Sequence, residues 1–189
     1  MNQEIVQAVE QAINQLADGF VANPCLHRVE HSLHCDLYQL LLKSSAIPKT
    51  IRTTEFTTRL IHKEWPEIKS HGSRKRRGNF DLAVLAPDMG NPNINEFRYG
   101  RLKPLVAIEV GLNYRLGHLR GDWEKLKRSG VANCYMIHFA SWPYRDYKSV
   151  EATVKNVMSE EKSGCVKIAY VDHYRKLKRK LGESVVSTF

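Results

Sequence analysis

FDLAVLA at residues 80–86 and LVAIEV at residues 105–110 decide the fold of this 189-residue chain. Each segment is a short, almost continuous apolar run, and each is followed by a residue that disfavours regular structure, Pro87 in one case and Gly111 in the other. Runs of this length and texture are typical of strands that are covered on both faces of a sheet. We therefore predict that the two segments are central strands of an α/β protein.

One carboxylate interrupts each of these apolar runs, Asp81 in the first and Glu109 in the second. An unpaired ionised group in an apolar interior is penalised by several kcal/mol, so two of them on adjacent strands indicate a compensating cation. That cation would be a metal ion or a basic partner. The simpler alternative is that each carboxylate caps a strand end or meets an arginine at the surface.

The sequence before these strands predicts two helices and one extended segment. Ile5, Val9, Ile13 and Leu16 recur at helical spacing, so the chain should open with an amphipathic helix over residues 1–19, ended by Asp18-Gly19. A second helix is expected from about Leu26 to Lys43. The threonine-rich segment from Thr50 to about Trp65 suits one long strand or a hairpin.

The sequence after them alternates between helical and strand patterns. The predicted elements are a helix at Asp122–Arg128, a strand at Cys134–Ala140, a helix at about Asp146–Glu161, a strand at Cys165–Val171 and a basic helix or tail at His173–Lys180. We expect one domain over residues 1–189, with a core at about 26–140, an N-terminal helix at 1–19 and a C-terminal extension at 146–189.

The net charge of the chain indicates the sign of its partner's charge. Lys and Arg total 29 against 20 Asp and Glu, which leaves a formal +9 that should attract a polyanion. Two clusters of Lys and Arg flank Asp81 and Glu109 in sequence, and a third lies near the C-terminus. Scattered charge that only keeps the protein in solution explains each cluster alone about as well as a nucleic-acid surface does. The residues predicted to contact nucleic acid are Arg74, Lys75, Arg76, Arg77, Arg115 and Arg120.

Histidines and cysteines give weaker signals. His27, His31 and His34 share the second helix with Glu30, a spacing that would suit zinc, a hydrogen bond from His34 or His31 to Glu30, or simply a polar helix face. The four cysteines form no C-x-x-C pair and are expected to be buried thiols. No apolar run is long enough for a membrane span and no signal-peptide pattern is visible, so we expect a cytoplasmic protein.

The combined pattern resembles the PD-(D/E)XK nuclease superfamily, which has a restriction-endonuclease-like fold. The resemblance covers about Leu26 to Ala140 and consists of the order helix, three strands, helix, strand, together with four short motifs. The motifs are HRVEHSLHCDLYQLL with Glu30, GNFDLAVLAP with Asp81, PLVAIEVGLN with Glu109, and DWEKL at residues 122–126. It implies a central mixed β-sheet flanked by helices, with extra N-terminal and C-terminal helices.

The resemblance also implies a site. Asp81 and Glu109 would hold Mg²⁺ or Mn²⁺, and Glu30 would assist directly or through water. The superfamily's lysine should stand where this chain has Gly111, and glycine cannot orient the attacking water or stabilise the transition-state phosphate. We predict that Lys125 replaces it. The alternatives are a basic residue of the 74–77 segment, or that Lys125 only belongs to a solvated helix face with Asp122 and Glu124.

These inferences predict a metal-dependent nuclease that hydrolyses phosphodiester bonds in DNA. Two alternatives remain open. One is a catalytically inactive nuclease-fold module that binds DNA or a partner protein, since the usual lysine is missing. The other is an enzyme acting on RNA, because nothing in the sequence indicates how a 2′-hydroxyl would be read. A homodimer or a partner subunit is compatible with each of these functions.

Overall fold

The computed structural model describes residues 1–67, 78–114, 116–141, 147–160, 165–173, 177–179 and 187–188. Five α-helices lie in these ranges. The first two pack on one face of the central sheet, and the last two pack on the other face. They are α1 (Asn2–Ala22), α2 (Glu30–Lys43), the short α3 (Ile94–Arg98), α4 (Leu116–Arg128) and α5 (Tyr147–Glu160). Among the described residues, no helix combines the length and the apolar composition needed to cross a lipid bilayer.

A mixed sheet forms the centre of the fold. Its five longer strands are β3 (Ile61–Pro66), β4 (Asn79–Val84), β5 (Val106–Leu112), β6 (Asn133–Ala140) and β7 (Val166–Asp172). They lie in sequence order, with antiparallel pairs β3/β4 and β4/β5 and parallel pairs β5/β6 and β6/β7. The short strands β8 (Leu177–Arg179) and β9 (Ser187–Thr188) extend the sheet beyond β7. The protein is thus α/β, as the sequence predicts.

Each face of the sheet buries one apolar cluster. The first lies between the sheet and helices α1 and α2, and includes Leu37 together with Ile108 and Val110 of β5. The second lies under α4 and α5, and includes Trp123 together with Ala107 of β5. Strand β5 is buried along its whole length, because alternate side chains enter the two clusters.

Several predicted boundaries are wrong at the helix ends. Helix α1 continues through Gly19 to Ala22. Burying Phe20 against Phe139, with ring centroids 4.7 Å apart, is worth about 1.5–3 kcal/mol and outweighs the cost of about 1 kcal/mol for a helical glycine. Helix α2 begins at Glu30 rather than Leu26, because Pro24–Leu26 forms a separate 3-10 turn and Val29 is extended.

The extended segment after α2 is divided. Thr50–Arg52 (β1) and Thr57–Arg59 (β2) pair as an antiparallel hairpin in a sheet of their own, and only β3 joins the central sheet. The hairpin alternative was therefore the better description. Gly111 lies within β5, opposite His138 of β6, and does not end the strand.

Two further expectations fail in the described residues. Residues 177–179, within the predicted basic helix or tail, form strand β8 instead. Only Cys134 is buried, whereas Cys25, Cys35 and Cys165 are exposed, so the expectation of four buried thiols is wrong. Helix α3, in the stretch between Pro87 and Lys103, was not expected; it begins with a capping box formed by Asn93 and Glu96.

The side chains of β3 and β4 alternate between the two faces of the sheet, and this alternation changes at one pair of positions. Lys63 pairs with Leu82, which faces α1 and α2, whereas Trp65 pairs with Phe80, and both of these face the other cluster. Between them Glu64 has φ 54°, a left-handed conformation that rotates the strand and lets the next side chain enter the opposite face. Asp81 lies at the same level of β4 as this irregularity.

The buried His138 makes stability depend on pH. Burial lowers its pKa from 6.5 to about 4. An unfolded chain therefore binds a proton at this residue below about pH 6.5, whereas the folded chain stays neutral until about pH 4. With respect to this residue, the unfolding free energy has its full value above pH 6.5 and decreases as the pH falls toward 4. The total decrease is about 3 kcal/mol, since one pKa unit is about 1.4 kcal/mol.

We expect His138→Leu to make the unfolding free energy depend less on pH. In urea unfolding at pH 7.5, 6.0 and 4.5, the decrease in unfolding free energy on acidification should be smaller in the variant by about 2–3 kcal/mol. The same pH dependence in both proteins would contradict the assignment to His138.

Candidate functional site

The site begins where β4 and β5 stop pairing with each other. Their last paired residues are Leu82 and Ile108. Two residues further along β5, the Val110 backbone N–H donates to Asp81 Oδ2 at 2.8 Å. The Asp81 carboxylate thus accepts a hydrogen bond of the kind that, elsewhere in a ladder, a backbone carbonyl oxygen of the neighbouring strand accepts. This places Asp81 in the opening between the two strands.

Helix α2 contributes two residues to the same opening. Glu30 and His34 lie one helical turn apart, and His34 is 3% exposed. His34 Nε2 lies 3.5 Å from Glu30 Oε1 and 3.6 Å from Asp81 Oδ2. One ligand atom from each of the three residues lies within 4.8 Å of the other two. Glu30, His34 and Asp81, called the α2 cluster below, are suitably placed to share one cation.

Glu109 meets Lys125 of helix α4. Lys125 Nζ lies 2.6 Å from Glu109 Oε2 and donates to the Asn79 carbonyl oxygen at 3.0 Å. Asp122, one turn earlier on α4, lies 3.5 Å from the same ammonium. Glu109 is only 2% exposed, and it forms its ion pair with Lys125. The ammonium is therefore fixed at the sheet by three oxygen atoms.

The charges of the site are strongly coupled. Burial raises the pKa of Glu109 well above its usual value, and the nearby Asp81 raises it further, although Lys125 opposes the shift. Burial likewise raises the pKa of Asp122. Burial alone would lower the pKa of Lys125, but Glu109 and Asp122 outweigh it and raise that pKa. Lys125 consequently stays protonated at neutral pH.

Tyr114 occupies the space in front of Gly111. A Cβ at position 111 would lie 2.7 Å from Tyr114 Cδ2 and 3.0 Å from His138 Nδ1. Asn113, with φ 57°, turns the chain back after β5 and is held by Phe139 and Ser141 of the neighbouring strand end. Burial raises the pKa of the Tyr114 phenol, as does its hydrogen bond to Glu30. No side chain fits at 111 without displacing this ring.

The structure brings together four of the residues proposed from the sequence: Glu30, Asp81, Glu109 and Lys125. Arg120, predicted to contact nucleic acid, lies on the surface and forms ion pairs with Glu124 at 3.3 Å and Glu160 at 3.2 Å; its contact with nucleic acid stays a prediction. Arg74, Lys75, Arg76, Arg77 and Arg115 lie outside the described residues.

Three contributors were missed or underrated. Asp122 was considered only as part of a solvated face, and Tyr114 was not considered. His34 was considered as one of several possible zinc ligands on its helix, as a neighbour of Glu30, or as part of a polar helix face, but it was not assigned to the site with Asp81, although it has a sequence signal. Residues 30, 34, 37 and 41 recur at helical spacing, and Leu37 and Leu41 belong to the apolar core. That stripe places Glu30 and His34 on the face that packs against the sheet.

Comparison with known proteins found no matching family model, no matching curated protein and no matching solved structure. Function must therefore be argued from the chemistry of the site.

The contact between Gly111 and Tyr114 predicts a measurable strain. We expect Gly111→Ala to lower the unfolding free energy by about 1–3 kcal/mol, as overpacking of a filled space does. In a Tyr114→Ala background the same change should cost less, because the ring is gone. The measurement is a double-mutant cycle by urea unfolding.

Gly117 on α4 provides the control, since an added Cβ there meets no atom within 4 Å. Gly117→Ala should be neutral or stabilising by up to about 1 kcal/mol, as expected in a helix. If Gly111→Ala were as stable as the unmodified chain, the ring would not be fixed against position 111.

Proposed function

We propose that the protein is a metal-dependent nuclease that hydrolyses phosphodiester bonds in DNA, with a fold of the restriction-endonuclease-like type. One observation carries the proposal. Glu30, Asp81, Glu109 and Asp122 surround a single region at the divergence of β4 and β5, and within the described part of the chain Lys125 is the one ammonium that forms an ion pair with any of them. This excess of negative charge calls for a divalent cation.

The topology supports the proposed fold. The elements α2, β3, β4, β5, α4 and β6 follow the order helix, three strands, helix, strand. Their strands are neighbours in one sheet, and the two carboxylate-bearing strands, β4 and β5, are both interior strands. The site lies where the pairing of these two strands ends, next to α2 and α4.

The donor atoms fit a divalent cation. Glu30 Oε2 and Glu109 Oε1 are buried and have no hydrogen-bond partner among the residues that the structure describes. Buried carboxylate oxygens are costly when unsatisfied and are preferred ligands of hard cations. Asp81 would be the central ligand, with Glu30 beside it, and the sequence-based assignment adds Glu109. When bound, the cation would polarise the phosphate and lower the pKa of an attacking water.

Lys125 has the position for the role of the missing lysine. Its ammonium is anchored by Glu109 Oε2 and the Asn79 carbonyl, and its pKa is raised rather than lowered. A lysine that keeps its proton cannot act as a general base. It would donate to a non-bridging phosphate oxygen and stabilise the charge that develops there in the transition state.

A binding module without catalysis is the second candidate. The observation that favours it is the 2.6 Å contact between Lys125 and Glu109, because each group already neutralises the other. In that case the pair would be structural, and the protein would bind DNA in a salt-dependent manner without cutting it.

The nuclease proposal predicts metal-dependent cleavage. Purified protein with plasmid, single-stranded DNA and RNA in Mg²⁺ or Mn²⁺ should cleave DNA, and EDTA should stop it. Asp81→Asn and Glu109→Gln, which preserve shape, should each lower kcat/KM by about a thousandfold or more. Cleavage that survives both substitutions, or DNA binding with no cleavage in either metal, would rule the proposal out.

Lys125 can be tested against a matched lysine on the same helix. We expect Lys125→Met to lower kcat by about 10²–10³-fold, the usual effect of removing one transition-state donor. The control is Lys127, whose Nζ lies 4.6 Å from the centre of the Trp123 ring. Among the described residues it forms no ion pair with a carboxylate of the site. Lys127→Met should leave kcat within about twofold. Equal effects of the two substitutions would remove Lys125 from the mechanism.

A further inference from the structure

His34 Nε2 faces three oxygen atoms in the opening between β4 and β5. They are Val110 O at 3.4 Å, Glu30 Oε1 at 3.5 Å and Asp81 Oδ2 at 3.6 Å. Good hydrogen bonds from a ring nitrogen to oxygen are about 2.7–3.2 Å long. The ring nitrogen is therefore surrounded by acceptors at distances too long for a strong bond to any of them.

These spacings suit atoms that share one metal ion. Two ligand atoms, each about 2.1 Å from a metal, lie about 3.0 Å apart at an octahedral angle and about 3.4 Å apart at a tetrahedral angle. The observed separations of 3.4, 3.5 and 3.6 Å are close to the second value. The ligand atoms of Glu30, His34 and Asp81 also lie within 4.8 Å of one another, as atoms around one cation must.

The orientation of the ring is determined by packing. The His34 side chain is only 4% exposed, and it follows Leu33 and precedes Leu37, both of which are completely buried. The ring is therefore enclosed between α2 and the sheet. The nitrogen is thus presented to the cluster in advance, which lowers the cost of binding.

We propose that the α2 cluster, Glu30, His34 and Asp81, with the Val110 carbonyl oxygen, binds a first-row transition-metal ion through His34 Nε2. This inference rests on the proposed function, because it defines the metal class at the same site. The inference concerns these four atoms alone and does not depend on Glu109, whose Oε2 contacts Lys125 and whose Oε1 would be a further ligand.

The imidazole decides the class of metal. Mg²⁺ takes oxygen ligands almost exclusively and retains several waters, whereas imidazole nitrogen binds Mn²⁺, Co²⁺ and Zn²⁺ with affinities that rise along the series. A site with one nitrogen and three protein oxygens should therefore bind Mn²⁺ and Co²⁺ at least about tenfold more tightly than Mg²⁺.

The experiment measures metal binding without any nucleic acid. Full-length protein is freed of metal with EDTA and titrated with MnCl₂, CoCl₂ and MgCl₂ by calorimetry. Electron spin-echo envelope modulation of the Mn²⁺ complex then detects a directly bound nitrogen. We expect one tight site, ¹⁴N modulation in the unmodified protein, and its loss in His34→Gln, with Mn²⁺ affinity reduced at least about tenfold.

His31 is the matched control, because it lies on the same helix with its ring 5.9 Å from that of His34 and is exposed. His31→Gln should keep both the ¹⁴N modulation and the affinity. Asp81→Asn should weaken Mn²⁺ binding, and Glu109→Gln should leave the nitrogen signal unchanged. Circular dichroism establishes that each variant is folded.

Absence of ¹⁴N modulation in the unmodified protein would overturn the inference without any variant, and so would modulation that survives in His34→Gln. Equal affinity for Mg²⁺ and Mn²⁺ would also overturn it. These outcomes are separable from the nuclease proposal. Nitrogen-ligated Mn²⁺ without cleavage would support this inference and contradict the nuclease, whereas cleavage at an all-oxygen site would do the reverse.

Discussion

The hydrogen bond from the Val110 N–H to Asp81 Oδ2 organises the rest of the site. It forms where β4 and β5 cease to pair, so it satisfies a backbone donor that the sheet would otherwise leave without a partner. In doing so it holds a carboxylate inside the opening between two central strands. Every other charged group of the site is arranged around that negative charge, because an isolated buried carboxylate is unstable.

The two sides of the sheet supply different partners. From the α2 side come Glu30 and His34, whose positions suit cation binding. From the α4 side comes Lys125, bound to Glu109. This division follows from the pleat of β5, in which Val110 faces α2 and its neighbour Glu109 faces α4. One strand thereby separates the group that would bind metal from the group that would stabilise phosphate.

Position 111, two residues after Glu109, has a steric constraint. The ring of Tyr114 fills the space that a side chain at 111 would need, and the phenol supports Glu30. Residues 109 and 111 point to the same face of β5, and the Lys125 ammonium reaches Glu109 on that face from α4, beside this ring.

The sequence by itself determined the α/β class, the two central strands and the position of one carboxylate on each. Those features are local, because an apolar run reports burial and a single charge within it is conspicuous. It also pointed to Lys125, through the composition of the helix that follows β5. It was less accurate at boundaries, as at Gly19, where the burial of Phe20 overrides a local stop signal.

Only the tertiary structure decided which atoms meet. His34 and Asp81 are separated by 47 residues along the chain and are brought together by the packing of α2 on the sheet. The left-handed Glu64 and the early end of the β4–β5 ladder direct Asp81 into the opening, and neither has a sequence signature. Such contacts depend on the twist and separation of strands, which arise from the whole sheet and not from any one segment.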